Sequence, residues 1–334
     1  MDNKIRIGII GCSTIAKTST IPAILKSSNC ELGFIGSRSN DKAKKVAYEF
    51  GCEKYGSYED ILHDDKIDAV YISTPVGTHE EWVIKSAQTG KHILCEKSST
   101  ISFDSAKKMV RICKENNVRL MEGFMFRFHP SHERVKKCMS NKIIGKIFLF
   151  SSKYGFPSIS KNNIRYDKSL GGGILNDAGC YPINASRMLF ESEPKGVFCN
   201  LTIDEETQVD TKATFFMDFD GDIQSQSSVG YDLAYQSNYR LWGSDGSLNL
   251  TRSYNIPSDM SAKLNIKNNN REEEILIEPV NHFKLMIEAF CNELIKSNSI
   301  NYNFEEDLLN QARIMEACRI SNNEKRYVET KEIE

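Results

Sequence analysis

The stretch Ile5-Arg6-Ile7-Gly8-Ile9-Ile10 is β-branched and runs straight into Gly11, after which 14–26 carries Ile15, Ile21, Ile24 and Leu25 at helical spacing. A buried strand ending on a glycine and leading into a helix constrains the fold strongly here because the pattern recurs. A strand over 31–36 precedes a helix over 41–50 with Ala43, Val46, Ala47 and Phe50 on one face. Residues 68–73, 91–95 and 118–121 predict further strands, and 78–89 and 103–115 the helices between them. Parallel strands need crossover connections of this length, so the first third of the chain predicts a parallel sheet.

Beyond residue 123 the texture changes. One helix is expected over 131–140, and 146–277 then reads mostly as strands: 147–154, 196–203, 213–219, 223–231, 237–243 and 247–251. Turn signals such as Asp220-Gly221-Asp222 and Ser244-Asp245-Gly246 separate them. Helix returns at 283–295 and 305–320. A length of 334 residues suits two domains. The expectation is an α/β chain with a doubly wound parallel (Rossmann) domain over 1–123. An α+β domain over 124–334 follows, with a large, mostly antiparallel open sheet and a C-terminal helix packing back on the first domain.

Lys+Arg 43 against Asp+Glu 45 leaves a net charge of -2, which argues against nucleic acid or anionic membrane as a partner through bulk charge. No apolar run approaches the ~18 residues of a membrane span. The first apolar run leads into a glycine turn with no small-residue cleavage site behind it, so a cytoplasmic protein is expected. The 10 cysteines are scattered without a C-x-x-C pair, which reads as free thiols in a reducing compartment. His129 and His132 are close in sequence, but no carboxylate or Cys completes a ligand set, so no metal is expected.

Gly11-Cys12-Ser13-Thr14-Ile15-Ala16 has the frame G-x-G-x-x-A with Ser at the second Gly. Such a frame between strand and helix makes a tight turn, lets backbone approach a pyrophosphate, and aims a helix N-terminus at the phosphates. Ser13 crowds that approach slightly while its hydroxyl can donate to a phosphate oxygen. An NAD site places an acid at the end of the second strand, yet here the sequence is Ile35-Gly36-Ser37-Arg38-Ser39-Asn40 with no acid before Asp41. Ser37 and Arg38 suit a 2′-phosphate, so NADP(H) is expected to be preferred, with NAD(H) as the alternative.

Further along stand Thr74-Pro75-x-x-x-His79, Gly90-Lys91-His92-Ile93-Leu94-Cys95-Glu96-Lys97 and Phe124-Met125-Phe126-Arg127-Phe128-His129-Pro130. Gly171-Gly172-Gly173-Ile174-Leu175-Asn176-Asp177-Ala178-Gly179-Cys180-Tyr181 and Arg187 come later. Over essentially the whole chain this succession resembles the Gfo/Idh/MocA family of NAD(P)-dependent oxidoreductases. Within it the chain is most similar to the branch of glucose–fructose oxidoreductase, dihydrodiol dehydrogenase and nucleotide-sugar 3-ketoreductases, which carries Tyr four residues after the Asp.

The resemblance implies Lys97 as the proton-transfer residue beside the nicotinamide, with Asp177 and Tyr181 completing the catalytic set and Glu96 beside the cofactor. The residues agree: Lys97 follows a strand, at the end where open α/β sheets gather ligands. Asp177 and Tyr181 are spaced to share a helix face, although Pro182 would remove the hydrogen bond to Ala178 and kink or start the helix there. Either Lys97 or Tyr181 can protonate the substrate oxygen. The resemblance further implies that Thr74, Pro75, His79 and Arg165 border the cofactor, and that Arg127, His129 and Tyr166 shape the substrate pocket. Ser98 stands where the family usually has Pro, and Ile164 where it often has Trp.

The activity implied is hydride transfer between NADP(H) and a ketone or secondary alcohol of a sugar or sugar derivative, with a nucleotide-linked keto-sugar as one form. Lys161, Arg165, Tyr166 and Arg252 are the candidates for holding a nucleoside diphosphate. A catabolic dehydrogenase of a free sugar, polyol or diol is the alternative within the enzyme class. A dinucleotide-sensing binding protein without turnover is the alternative outside it. A homodimer or homotetramer through the C-terminal sheet is the expected assembly.

Overall fold

The computed structural model describes residues 4–269, 271–295 and 302–334. They fall into two compact units: Met1–Met125 with Phe283–Leu309, and Phe126–His282 with Asn310–Glu334.

The first unit alternates β1 (Ile5–Ile10), α1 (Ile21–Lys26), β2 (Cys30–Gly36), α2 (Asn40–Phe50), β3 (Tyr55–Gly56), α3 (Tyr58–Leu62), β4 (Ala69–Ile72), α4 (His79–Gln88), β5 (His92–Cys95), α5 (Phe103–Glu115) and β6 (Leu120–Glu122). Every strand pair is parallel, in the order β3-β2-β1-β4-β5-β6. The order reverses between β1 and β4, and the carboxyl ends of strands at such a reversal are where open α/β sheets bind ligands. Ile9, Ile10 and all of β4 are sealed from solvent, as a two-sided parallel sheet requires.

The short β3 and α3 lie below the length at which apolar periodicity registers. Their signal was instead the capping box Ser57-x-x-Asp60. Lys91 of the G-K-H run is buried, and its Nζ donates to the carbonyls of Asp64 (2.9 Å) and Ile67 (2.7 Å). It fastens the segment after α3 beneath β5.

The second unit begins with α6 (Pro130–Ser140) and β7 (Ile147–Gly155). It continues through α7 (Cys180–Phe190), β8 (Gly196–Ile203), β9 (Asp210–Asp218), β10 (Gln224–Gly230), β11 (Gln236–Gly243), β12 (Gly246–Leu250), β13 (Ala262–Asn268) and β14 (Arg271–Ile277). Near the end of the chain, α8 (His282–Ile295) belongs to the first unit from Phe283 on, α9 (Phe304–Glu324) runs from the first unit into the second, and β15 (Val328–Glu329) lies in the second. The nine strands lie in the order β14-β13-β12-β11-β7-β10-β9-β8-β15, and only β7 with β10 is a parallel pair.

One face of this sheet buries Phe150, Phe215, Tyr239 and Leu241, while Phe148, Phe198 and Trp242 are exposed. β13 and β14 were not separable in the sequence. Glu272–Glu274 interrupt apolar alternation on an edge strand that has no fully buried residue. Among the described residues no helix is long and apolar enough to cross a membrane, and all ten thiols are free.

Candidate functional site

At the end of β1 the chain turns through Gly11 with φ +104, where a side chain would press on Ser73 and Thr74 beyond β4. Ser73 Oγ donates to the Gly11 carbonyl at 2.7 Å, and Gly11 N donates to the Gly36 carbonyl at 3.2 Å. Those bonds sew the turn to the ends of β4 and β2. Cys12 is buried, with Sγ 3.6 Å from the Gly36 carbonyl, and burial raises its thiol pKa. Thr14 is exposed, Ser13 and Ile15 are half-buried, and Ala16 is enclosed. Ser13 Oγ accepts from Ala16 N at 3.1 Å, so the residue that departs from the glycine frame caps the turn it opens. The expected helix is interrupted: Ala16–Thr20 winds wider than α before α1 begins. Pro22 has no N–H for the Thr18 carbonyl, and the wider winding accommodates that loss.

Beyond β2, Ser37 is buried and Arg38 exposed. Ser37 Oγ accepts from Ser39 N (3.3 Å), and Ser39 Oγ caps α2 by accepting from Lys42 N (3.3 Å). Arg38 lies beside the Tyr58 hydroxyl, whose pKa burial raises against the pull of that positive charge. No acid stands at the end of β2. The cradle fits a dinucleotide: a glycine that only backbone can fill, a capped first turn, and a cationic 2′ position.

After β4, Thr78 Oγ1 donates to Pro75 O at 2.8 Å and lies 2.9 Å from Thr74 Oγ1. His79 is buried, with Nε2 2.8 Å from the Thr74 carbonyl and Nδ1 3.1 Å from the Ser98 carbonyl. Burial drops its pKa to about 4, so the ring is neutral near pH 7 and its single N–H serves one carbonyl at a time. His79 therefore braces the loop after β4 against the segment after β5.

That segment carries Glu96 and Lys97. Tyr71 OH donates to Glu96 Oε1 at 2.5 Å, and Lys97 N donates to Glu96 Oε2 at 3.3 Å. Burial raises the Glu96 carboxyl above its ordinary range, opposed by the Tyr71 hydrogen bond and the Lys97 charge. Ser99 N donates to Glu122 Oε1 at 2.8 Å, and the Lys97–Ser98 peptide is cis. Lys97 is half-buried on a strand end held from both sides. Tyr71 and Glu122 were missed in the sequence because neither belongs to a motif; both sit in strands as buried polar residues.

In the second unit the three glycines pack the chain tightly before α7. Gly172 N donates to Asp167 O and Gly173 N to Arg165 O, each at 2.9 Å. A side chain on Gly172 would strike the Arg165 carbonyl, and one on Gly173 (φ +119) would strike the Asp210 carboxylate. The turn Leu175–Gly179 that follows is again wider than α, just ahead of Pro182. Asp177 Oδ2 accepts from Arg165 Nε at 2.5 Å, with Tyr231 OH 3.5 Å away. The Tyr181 ring is buried among Tyr154, Tyr254 and Phe126 at centroid distances of 5.2, 5.4 and 5.7 Å. Burial pushes the phenols of Tyr154, Tyr231 and Tyr254 upward, and the Asp177 charge adds to the first two.

The remaining sequence candidates are placed as follows. Arg127 Nη1 reaches Asn184 Oδ1 at 3.4 Å. His129 is enclosed and caps α6 by accepting from Ser131 N at 3.1 Å. Tyr166 is buried with its ring 5.3 Å from that of Tyr231. Arg187 is buried on Glu193 and Gln311. Lys161 pairs with Glu206 (2.6 Å) and Asp204 (3.3 Å), while Arg252 donates to Asn255 O and lies over the Tyr235 ring.

Residues 5–124 match the oxidoreductase family with the NAD-binding Rossmann fold, GFO/IDH/MocA, and 132–249 match the GFO/IDH/MocA C-terminal domain. The chain is 31% identical over 317 residues to a dTDP-3,4-didehydro-2,6-dideoxy-alpha-D-glucose 3-reductase of Actinomadura kijaniata, covering 95% of each chain. It is 33% identical over 304 residues to a D-xylose 1-dehydrogenase (NADP(+)) of Haloferax volcanii, covering 90% of this chain and 92% of that one. The crystal structure of a 3-ketoreductase from Actinomadura kijaniata in complex with NADP and TDP-benzene superimposes with a TM-score of 0.91 at 30% identity, covering 96% of this chain and 98% of that one.

Proposed function

The chain belongs to the GFO/IDH/MocA oxidoreductase family, and from that premise we propose that it moves a hydride between NADP(H) and a secondary alcohol or ketone of a sugar or sugar derivative. The observation that carries the reading is the carboxyl edge of the first sheet. There the Gly11 turn, the Thr74 loop and the Glu96-Lys97 segment follow the adjacent parallel strands β1, β4 and β5. Gly11 to Ala16 would hold the pyrophosphate, Ser37 and Arg38 the 2′-phosphate, and Thr74 and Pro75 the flank of the cofactor. The bound nicotinamide supplies or accepts the hydride.

The chain's own residues manage the proton. Either Lys97 or Tyr181 gives the proton to the substrate oxygen in the reducing direction, and the same residue takes it back in oxidation. Asp177 keeps a negative charge near Tyr181, and Arg165 balances that charge. His79 and Glu96 hold the Lys97 segment rather than touching substrate. Phe148, Phe198 and Trp242 on the exposed sheet face offer a surface for a second copy of the chain.

Between the two substrate forms, a specific observation favours the free sugar. The cations expected to hold a nucleoside diphosphate already have protein partners: Lys161 with Asp204 and Glu206, Arg165 with Asp177, and Arg252 with Asn255. The test is calorimetric titration with NADPH and NADH, then turnover with D-xylose and with a dTDP-linked 3-keto-sugar. Arg38→Ala is expected to weaken NADPH roughly ten- to a hundredfold and leave NADH unchanged, since a charge-assisted hydrogen bond contributes about 1.5–3 kcal/mol. No binding of either nucleotide overturns the reading.

A further inference from the structure

Asp210 lies at the start of β9, outside every motif that pointed to the site, yet its carboxylate ends on the turn that carries Asp177. Oδ2 accepts from Leu175 N at 2.6 Å, and the Ile174 amide also supports the carboxylate. These amides open a helical segment, where the first N–H groups have no partner within the helix. The usual solution is a side chain from the residue just before the helix, but that place is taken by glycine. Gly173 has φ +119, and a side chain there would collide with the Asp210 carboxylate. The third glycine and the distant acid therefore form one device: the glycine clears the space and Asp210 fills it.

A second tie fixes the same turn from the other side. Asn176 Nδ2 donates to Gly171 O at 3.0 Å, and Arg319 Nη2 of α9 donates to Asn176 Oδ1 at 2.7 Å. Burial raises the Asp210 carboxyl, while the amides and the Arg319 charge favour its ionised form.

We propose that Asp210 is a positioning residue for the reaction: by capping the Leu175–Gly179 turn from β9, it fixes where Asp177 and Tyr181 present their side chains. This rests on the reading that Asp177 and Tyr181 serve the chemistry, and the test separates the two. Asp210→Ala removes both carboxylate oxygens, whereas Asp210→Asn keeps one oxygen acceptor at the same place.

In the full-length chain, amide hydrogen exchange of a peptide covering 174–181 is compared for the wild type and both variants. Turnover of D-xylose with NADP+ is measured alongside. The expected result is faster exchange at 174–181 in Asp210→Ala, with wild-type protection regained in Asp210→Asn. For kcat, the expectation is a loss of roughly a hundredfold in Asp210→Ala at unchanged KM for NADP+, the scale on which small misplacements act, with most of it regained in Asp210→Asn. A folded Asp210→Ala protein with wild-type exchange over 174–181, or with wild-type kcat, overturns the proposal. If the wild type turns over neither D-xylose nor the dTDP-linked 3-keto-sugar, the functional reading fails by itself, and the exchange arm still decides whether Asp210 fixes the turn.

Discussion

Among the described residues each unit contains one wide helical turn, Ala16–Thr20 in the first and Leu175–Gly179 in the second. Both stop just short of a proline, Pro22 and Pro182, whose missing N–H would have met a carbonyl inside the turn. Wide turns of this kind are rare and gather at functional sites. The two differ in what holds them. The first is capped locally by Ser13, three residues before Ala16, and the Gly11 ahead of it is tied to neighbouring strand ends by one backbone bond to Gly36 and by the Ser73 hydroxyl. The second is held by side chains far away in sequence, Asp210 from β9 and Arg319 from α9 through Asn176. The turn proposed to hold the cofactor phosphates is encoded in one short motif. The turn proposed to aim Asp177 and Tyr181 is referenced to the sheet behind it.

The largest effects should come from removing the reactive groups themselves, and they test whether the two units share one reaction. Lys97→Ala is expected to lower kcat by about 10²–10⁴-fold, the usual contribution of a positioned proton donor, with the Kd for NADPH unchanged. Tyr181→Phe should fall in the same range if its hydroxyl delivers the proton, and by much less if Lys97 does. Steady-state kinetics with NADPH titration on each variant reads this out. Wild-type kcat in both would break the assignment of chemistry to these residues.

The contrast also explains how far the sequence could be read. Apart from β3, the first sheet was legible because its strands are short apolar runs, β1 and β4 rich in β-branched residues, and because the Gly11 and Glu96-Lys97 motifs sit at strand ends. In the second unit Asp177 and Tyr181 were visible through their motif, whereas Asp210 was not. A carboxylate at the start of a strand has no local signature when its partner is a backbone amide 35 residues earlier. His79 was placed beside the cofactor from its motif, but the motif carried no sign that its ring braces two backbone carbonyls. Local patterns fail where polar atoms act across sequence rather than along it.

Acid stability should separate the units next. His129, His132 and His282 are buried in the second unit, with pKa values pushed down by burial to about 4, 3 and 3. His132 faces the Tyr239 hydroxyl and the Ser253 carbonyl, and feels the charges of His129, His282 and Lys136. In the unfolded chain each would titrate near 6.5. As pH falls below about 6.5, the unfolded state takes up protons that the folded state refuses. Stability is then lost at roughly 1.4 kcal/mol per pH unit for each histidine until the folded values are reached. The first unit has His79 lowered to about 4 and a smaller lowering at His92. Hydrogen exchange between pH 6.5 and 4.5 should therefore show the second unit opening first, and equal loss in both would remove this distinction.

The smallest expected effect tests the local character of the first turn. Ser13 replaces the second glycine of the nucleotide frame, and its hydroxyl accepts from Ala16 N at 3.1 Å. Ser13→Ala keeps the Cβ and loses that bond, so it should cost about 1 kcal/mol, as the loss of a helix N-cap does. Ser13→Gly also loses the bond, but water can reach the freed amide at this half-buried position, and glycine caps cost only a few tenths of a kcal/mol. Denaturant unfolding of the two variants should thus rank alanine below glycine. NADPH affinity should change little in Ser13→Gly, since the phosphates would meet backbone there rather than the hydroxyl. A gain of tenfold or more in that variant would mean that the serine Cβ obstructs the pyrophosphate. The first turn would then be a compromise between capping and binding rather than a self-sufficient cradle.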